Sequence, residues 1–590
     1  MKTKYPSMFG VLAALLLVAS FIIPTNLISP SPVQAGICKW DRMYMPGENA
    51  ARGDVVHGSE VNKIAVGSDG ATILALVTVG ANTTILLNSP MMGLFWGNTA
   101  YANLAGAMVP LGANPFLFDV AIAPDNPAFW AVVTAGVGVN SPVDVWITQN
   151  AGGKWERTNL QAASGALIGC IDISVDYGGK RDIAAGIRRG NGGGAMDIYV
   201  LQSTGFTGWR RQTTLPPTVV LNGGMADVFA LRFSATYPAD GALAAVFADN
   251  TTGTMYNVAL RDIDGNNILS WAFPLDVEVA PATLPNSAFA FQLVDANLEL
   301  PSDFSGQAAS LRRAYISTDS GATNAQDGIY RIDDQTVYVL MDTSAAADTR
   351  RISSIAYFGT YASGKLLVGE YNGFGCTATV PTWFTDSPTT CPVPCWYPAL
   401  KPATGAAGQL AATCALGVRG VGNAQVVWFM NGNVALTATG SSASANGTAW
   451  FAGVLALPIE DDESAISLSR NNGETWNQLA MIDTTIDWFN DFAISADCNT
   501  LYLASASANA TYNCKAFDSV WRASLNGAVV APLPPIPPLG IWYERVYTRP
   551  TALSCNATHS DLPLLRLAGA CEEPTGQIVG WAAQGTMAQA

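Results

Sequence analysis

Short apolar runs and polar turns alternate along almost the whole chain. Lys63–Val77 reads KIAVGSDGATILALV, Asp119–Val133 reads DVAIAPDNPAFWAVV, and Asp172–Gly186 has the same form. Asp227–Ala248, Ile352–Glu370 and Asp491–Ser505 repeat it. Each is an apolar strand, a turn marked by Gly or Asp, and a second apolar strand, which predicts a β-hairpin. No long helical periodicity follows the N-terminal apolar stretch Met8–Ile23.

A second series runs in phase with the hairpins. Trp40-Asp41-Arg42, Trp155-Glu156-Arg157, Trp209-Arg210-Arg211, Trp476-Asn477-Gln478 and Trp542-Tyr543-Glu544-Arg545 look alike, and Trp96, Trp271 and Trp396 fit the same slot less well. From Trp40 to Trp271 the successive intervals are 56, 59, 54 and 62 residues, and Trp271 to Trp396 is 125, about two periods. Each period has room for four short strands. Repeats of four strands are the unit of a β-propeller, whose blades bury both faces against their neighbours and whose closure removes exposed sheet edges. The pattern therefore predicts one all-β domain, a single large propeller of four-stranded antiparallel blades. Eight periods fit between Trp40 and Trp542. Seven fit if the Cys-rich stretch near 376–414 is an insertion. Trp40 would then lie in an N-terminal strand that helps close the ring.

Two octets share one frame. Thr148-Gln149-Asn150-Ala151-Gly152-Gly153-Lys154-Trp155 and Ser469-Arg470-Asn471-Asn472-Gly473-Glu474-Thr475-Trp476 both place a hydroxyl, then Asn, Gly and Trp at alternate or nearby positions after an apolar run. The Asn side chain can bond backbone amides a residue or two on, and the hydroxyl can do the same across the turn. Gly152 and Gly473 stand where the backbone needs positive φ. Trp155 and Trp476 open the next strand and bury a large ring between sheets. Ser317-Thr318-Asp319-Ser320-Gly321 is a degenerate copy without the Trp, and Ser89 to Trp96 keeps Ser, Gly and Trp.

This frame resembles the Asp-box, or BNR repeat, of secreted β-propellers of the sialidase and sorting-receptor type. Relatives of that kind include glycosidases, sorting receptors, a photosystem assembly factor and many bacterial surface proteins. In the sialidases the box lies on turns away from the active face, so the resemblance carries over structural residues only: Thr148, Asn150, Gly152, Trp155, Ser317, Asp319, Gly321, Ser469, Asn471, Gly473 and Trp476. The sialidase pattern of an early Arg-Ile-Pro is missing; Arg331-Ile332-Asp333 and Arg351-Ile352-Ser353 fail at the third residue and come late.

Composition narrows the setting. Lys2 and Lys4, the apolar Met8–Ile23 and the small-residue site Val33-Gln34-Ala35 read as an export signal over residues 1–35. The propeller then takes 36–549, and 550–590 forms a C-terminal extension. Ten cysteines in an exported chain point to disulfides. Cys376, Cys391, Cys395 and Cys414 cluster, while Cys498 with Cys514 and Cys555 with Cys571 are local pairing candidates, the last stapling the extension. The cluster lacks His and two CxxC pairs, which speaks against zinc. The formal net charge of −15 excludes a nucleic-acid partner and suits divalent cations at the surface.

Chemistry is sparse. The chain has two histidines, His57 and His559, and neither sits near a G-x-S-x-G elbow. Gly190-Asn191-Gly192-Gly193-Gly194 has no strand-to-helix context for phosphate. Asp262-Ile263-Asp264-Gly265 lacks the downstream Glu of a calcium loop. Glu460-Asp461-Asp462-Glu463 reads as a solvated loop or as a surface calcium site. Asp487-Trp488-Phe489-Asn490-Asp491, and Trp383, Phe384, Trp396 and Tyr397, read either as packing or as a sugar-binding patch. No catalytic residue, metal ligand or cofactor is assigned. The composition is similar to that of exported bacterial Asp-box proteins of the surface layer or cell envelope. The resulting expectation is a non-catalytic structural or interaction protein there, binding itself, envelope components or a glycan. A glycosidase built on two carboxylates, or a carbohydrate-binding module, are the alternatives.

Overall fold

A computed structural model of the chain describes Pro46 and residues 55–56, 59–79, 83–90, 96–113, 115–160, 165–188, 198–202, 208–212, 227–249, 253–261, 269–271, 277–281, 293, 295–319, 328–342, 350–372, 382–389, 396–399, 423–431, 448–455, 465–469, 477–482, 484, 486, 488–495, 500–506, 517–524 and 543–550. The first sheet holds β1 (Ser59–Val66), β2 (Ile73–Val79) and β3 (Thr83–Ser89), and Gly97 adds an outer bridge to Asn88. The second holds β4 (Leu117–Ala123), β5 (Asn126–Ala135), β6 (Pro142–Thr148) and β7 (Glu156–Arg157). The third holds β8 (Leu167–Ile173), β9 (Asp182–Arg188), β10 (Ile198–Gln202) and β11 (Arg210–Gln212). The fourth holds β12 (Asp227–Phe233), β13 (Ala242–Asp249), β14 (Gly253–Arg261) and β15 (Leu269–Trp271), with β16 (Val277–Pro281) also on β14.

The fifth sheet holds β17 (Asp295–Glu299), β18 (Arg313–Asp319), β19 (Gly328–Asp333) and β20 (Thr336–Asp342). The sixth holds β21 (Arg350–Gly359), β22 (Gly364–Asn372), β23 (Thr382–Thr385) and β24 (Tyr397–Ala399). Two further runs follow: β25 (Asn423–Asn431), β26 (Thr448–Leu455), β27 (Ile466–Ser469) and β28 (Asn477–Ala480), then β29 (Trp488–Ile494), β30 (Thr500–Ala506), β31 (Phe517–Ser524) and β32 (Tyr543–Pro550). Outer strands β28 and β32 pair at Gln478 and Arg545, so these two runs join edge to edge. Nearly every pairing is between strands consecutive in sequence, and every pairing between strands is antiparallel.

The six hairpins expected from the alternation are the first two strands of their sheets. The Trp series marks outermost strands. Trp155, Trp209 and Trp396 directly precede β7, β11 and β24, and Trp476 and Trp542 precede β28 and β32. The fifth sheet's outer strand β20 has no Trp, which accounts for the double interval between Trp271 and Trp396. Strands β23 and β24 fall within the Cys-rich 376–414 stretch, so part of that stretch completes the sixth sheet.

The first strands lie side by side. β1 packs beside β4, β4 beside β8, β8 beside β12, β12 beside β17, β17 beside β21, β21 beside β25, and β25 beside β1. Sheets that succeed one another around a closed circuit of first strands have the arrangement of a β-propeller. The cores lie between neighbouring sheets. Leu74, Leu76 and Leu86 of the first sheet meet Val120, Val132 and Trp146 of the second, and Ala131, Val133 and Ile147 of the second meet Ile171, Ile183 and Ala185 of the third. The circuit's far side is sealed the same way, where Ile64 and Val77 meet Ile466, Leu468 and Leu479. Strand β29 stands outside the circuit.

One device recurs. The pairing of first and second strands slips by one residue at Asn62, Phe118, Gly169, Phe229, Ser353, Val427 and Asn490. A β-bulge at one equivalent place bends and twists these seven first strands, whereas β17 pairs with β18 in continuous register.

Among the described residues two helices depart from the all-strand expectation: α1 (Thr99–Met108), between β3 and β4, and the single turn α2 (Tyr237–Asp240), between β12 and β13. In α1, Ala100, Leu104 and Met108, each four apart, are buried against Trp130, Trp146 and Trp155. A ten-residue helix with four Ala has too narrow an apolar stripe to stand out among strands.

Candidate functional site

The first octet is fully described, and its wiring is internal. Thr148 Oγ1 accepts the Gly152 amide at 3.0 Å and donates to Asn150 Oδ1 at 2.9 Å. Asn150 Oδ1 also accepts the Lys154 amide at 2.8 Å, so the amide side chain reaches four residues on, farther than an Asx-turn. Gly152 has φ of 81°, and Ala151 beside it also takes positive φ, at 55°. The turn then holds α1. Trp155 Nε1 donates to the Ala100 carbonyl at 2.9 Å, and Asn103 Nδ2 donates to the Gly152 carbonyl at 2.9 Å. A Cβ on Gly152 would lie 2.2 Å from that of Ala100. The Thr148 hydroxyl, the Asn150 side-chain oxygen and the Trp155 indole of this turn are thus spent on structure.

The other copies are only partly described. Ser317 and Ser469 are fully buried, on β18 and β27, and Ser317 Oγ accepts from Asn297 Nδ2 at 3.2 Å. Asp319 ends β18 opposite Asp295. Gly321, Asn471, Gly473 and Trp476 lie outside the described residues, as do Cys376, Cys391, Cys395, Cys414, Cys498, Cys514, Cys555 and Cys571, both histidines, and the acidic run 460–463. Cys170 carries a free thiol on β8, so the expected pairing does not extend to it. Burial pushes that thiol up to about 12, and it is inert at neutral pH. Trp396 is half-buried against the fifth and sixth sheets and donates to the Leu340 carbonyl at 3.0 Å, so it packs rather than binds. No group of metal-binding side chains is found among the described residues.

One charged group spans three successive first strands. Arg232 on β12 reaches Glu299 on β17 at 2.7 Å and Asp172 on β8 at 3.3 Å, and donates to the Leu298 carbonyl at 3.1 Å. Asp172 Oδ2 accepts the Phe233 amide at 2.7 Å. Burial pushes both carboxyls above their usual range, and Arg232 pulls against that rise. Two carboxylates near each other on first strands are what a glycosidase would need. These two are buried and face one guanidinium, which leaves neither free to protonate or attack a substrate. On the neighbouring strands Lys63 pairs with Asp119, and Asp119 Oδ1 also accepts the Val120 amide at 2.7 Å. Sequence reasoning missed this group because residues 60 apart in sequence give no local sign of meeting.

Arg331 and Asp333, from the near-match to the sialidase motif, also serve packing. They pair at 3.2 Å, Asp333 is held by Arg313 at 2.5 Å, and Arg331 donates to the Pro388 carbonyl at 2.7 Å.

Exposed apolar side chains gather elsewhere. Six of the eight large ones among the described residues are Val109, Leu111, Phe118, Val137, Val139 and Leu167. They belong to one end of the second sheet and its join to the third. Val109 and Leu111 follow α1 in a 3-10 turn, Ala113 bridges to Val137 beyond β5, Phe118 is the bulged residue of β4, and Leu167 opens β8.

No family model matches the chain, and no curated protein matches it. Among solved structures it is similar to YCF48 bound to D1 peptide, with 11% identity and a TM-score of 0.31, covering 58% of this chain and 82% of that one. It is also similar to YCF48 from Cyanidioschyzon merolae, with 11% identity and a TM-score of 0.25, covering 54% of this chain and 95% of that one.

Proposed function

We propose that the chain is an exported, non-catalytic β-propeller of the cell surface that acts by assembly, in a surface layer or with other envelope components. The observation that supports this most is the group of exposed apolar residues Phe118, Leu167, Val137, Val139, Val109 and Leu111. Clustered exposed apolar side chains on a stable scaffold are the usual mark of a protein contact. The octets act as Asp-box turns that fix blade geometry. The ring has seven blades, from β1 to β28, and β29–β32 form an eighth blade-like sheet outside it. Surface calcium, if bound at 460–463, would bridge acidic copies or envelope glycans.

The test is co-sedimentation of the purified chain with isolated envelope, alongside hydrolysis of a panel of chromogenic glycosides. The reading expects sedimentation that falls when Phe118 and Val137 are replaced by Asp, and no glycoside turnover. Turnover abolished by Asp172→Asn or Glu299→Gln would replace it with a glycosidase.

A further inference from the structure

From the second sheet to the sixth, the connections between first and second strands touch, and each is bonded to the next. Between the second and third sheets, Asp125 of the β4–β5 turn accepts the Asp176 amide of the β8–β9 turn at 2.8 Å. It also pairs with Arg181, whose guanidinium lies over the Phe129 ring. Between the third and fourth, Asp182 at the start of β9 accepts the hydroxyl of Tyr237, on α2, at 2.7 Å. Its carboxylate also takes the Tyr177 hydroxyl of its own sheet at 2.6 Å and faces Arg261 of β14 at 3.4 Å. Between the fourth and fifth, Asp240 at the end of α2 accepts the Gly306 amide of the β17–β18 connection at 2.9 Å, and the Thr236 hydroxyl donates to the Phe304 carbonyl at 2.6 Å. Between the fifth and sixth, Asp303 accepts the Tyr361 amide of the β21–β22 turn at 2.6 Å, and the Ser302 amide donates to the Gly359 carbonyl at 2.9 Å.

Four successive junctions thus repeat one device. At each a carboxylate takes a donor from the sheet that follows, across 51, 55, 66 and 58 residues of chain. Asp182 and Asp240 are buried, so their bonds are shielded from water. The first sheet differs. Asp69 in the β1–β2 turn spends its carboxylate on its own turn, accepting the Ala71 and Thr72 amides and the Thr72 hydroxyl.

We propose that these links form a girdle that makes the second to sixth sheets open as one unit. In a ring each sheet packs only on its neighbours, so openings are local unless the junctions are stiff. Apolar faces are non-directional and permit sliding. Hydrogen bonds to a carboxylate are about twice as strong as neutral ones, and they weaken steeply once their geometry is lost. A sheet that tilts away from its neighbour at this end therefore loses its link, or carries the neighbour with it. The girdle stands apart from the envelope role, and either can fail alone.

Native-state hydrogen exchange on the full chain, followed through low denaturant, tests this. In the wild type, amides of β5, β9, β13, β18 and β22 are expected to share one opening. Asp303→Ala cuts the link to the sixth sheet and should release β22 from the other four, with exchange at least about tenfold faster. Asp240→Ala cuts the next junction and should release β18 and β22 together. Asp69→Ala should change exchange only around residues 67–72. If Asp240→Ala fails to fold, Asp303→Ala decides alone, since its carboxylate serves the junction and no bond within its own sheet. Wild-type sheets that open separately overturn the girdle, as does an Asp303→Ala chain in which β22 still opens with the rest.

Discussion

Ala100 and Gly152 meet so closely that the helix α1 can rest on the octet turn only because residue 152 has no side chain. Two costs fall on any substitution there: positive φ and a clash with Ala100 and the Trp130 ring. Gly138 separates them, because it has φ of 72° and open space around it. Gly138→Ala should cost about 1–2 kcal/mol in urea unfolding. Gly152→Ala should cost roughly 1–3 kcal/mol more for the overpacking. Equal losses would show that the approach to Ala100 is not tight.

Trp155 ties the same helix by its indole nitrogen. Trp155→Phe keeps most of the ring and removes one buried hydrogen bond, for a loss of about 1 kcal/mol. Hydrogen exchange should localise the effect to residues 99–111, with the strands of other sheets unchanged.

Arg232 serves two buried carboxylates, so its removal leaves both uncompensated. Arg232→Leu should destabilise by about 1–3 kcal/mol, less than for a fully buried pair because the Arg232 side chain is 37% exposed. Arg157→Leu makes the comparison: the Arg232 and Arg157 side chains are similarly exposed, 37% and 33%, but Arg157 faces one buried carboxylate, Asp144, where Arg232 faces two. A smaller loss is expected there. A loss at Arg232 no larger than at Arg157 would contradict the account of the three-strand group.

The same group sets a pH dependence. Burial raises the Asp172 and Glu299 carboxyls above their unfolded values, despite Arg232. The folded state then binds protons more tightly than the unfolded chain. Stability from these groups is fully present below the unfolded carboxylate value, about 4, and is lost as pH rises through the raised folded values. Glu299→Gln removes one such group. Its melting temperature relative to wild type should rise as pH moves upward through that window, whatever its offset. A relative fall would reverse the sign of the shift.

Much of this fold was legible in residue pattern. The hairpin series KIAVGSDGATILALV and its five companions named first and second strands, and the Trp series named outer ones, because both signals are local: alternation, turn residues, a large ring at a strand start. The octet was legible for the same reason, down to the positive φ of Gly152. What could not be read depends on residues far apart. Asp172, Arg232 and Glu299 meet only because three first strands lie side by side. The order in which sheets close is equally hidden, since Phe492 and Val120 look alike in sequence but one is exposed and the other buried. Helix α1 escaped notice because its four Ala give little contrast between its faces.

The central claim is assembly at the cell surface without catalysis. The measurement that bears on it most directly is fractionation of the native source, with the envelope washed before and after chelation of divalent cations. The account predicts an abundant envelope component that chelation releases. Recovery of the chain solely as a free monomer in the culture fluid would contradict it.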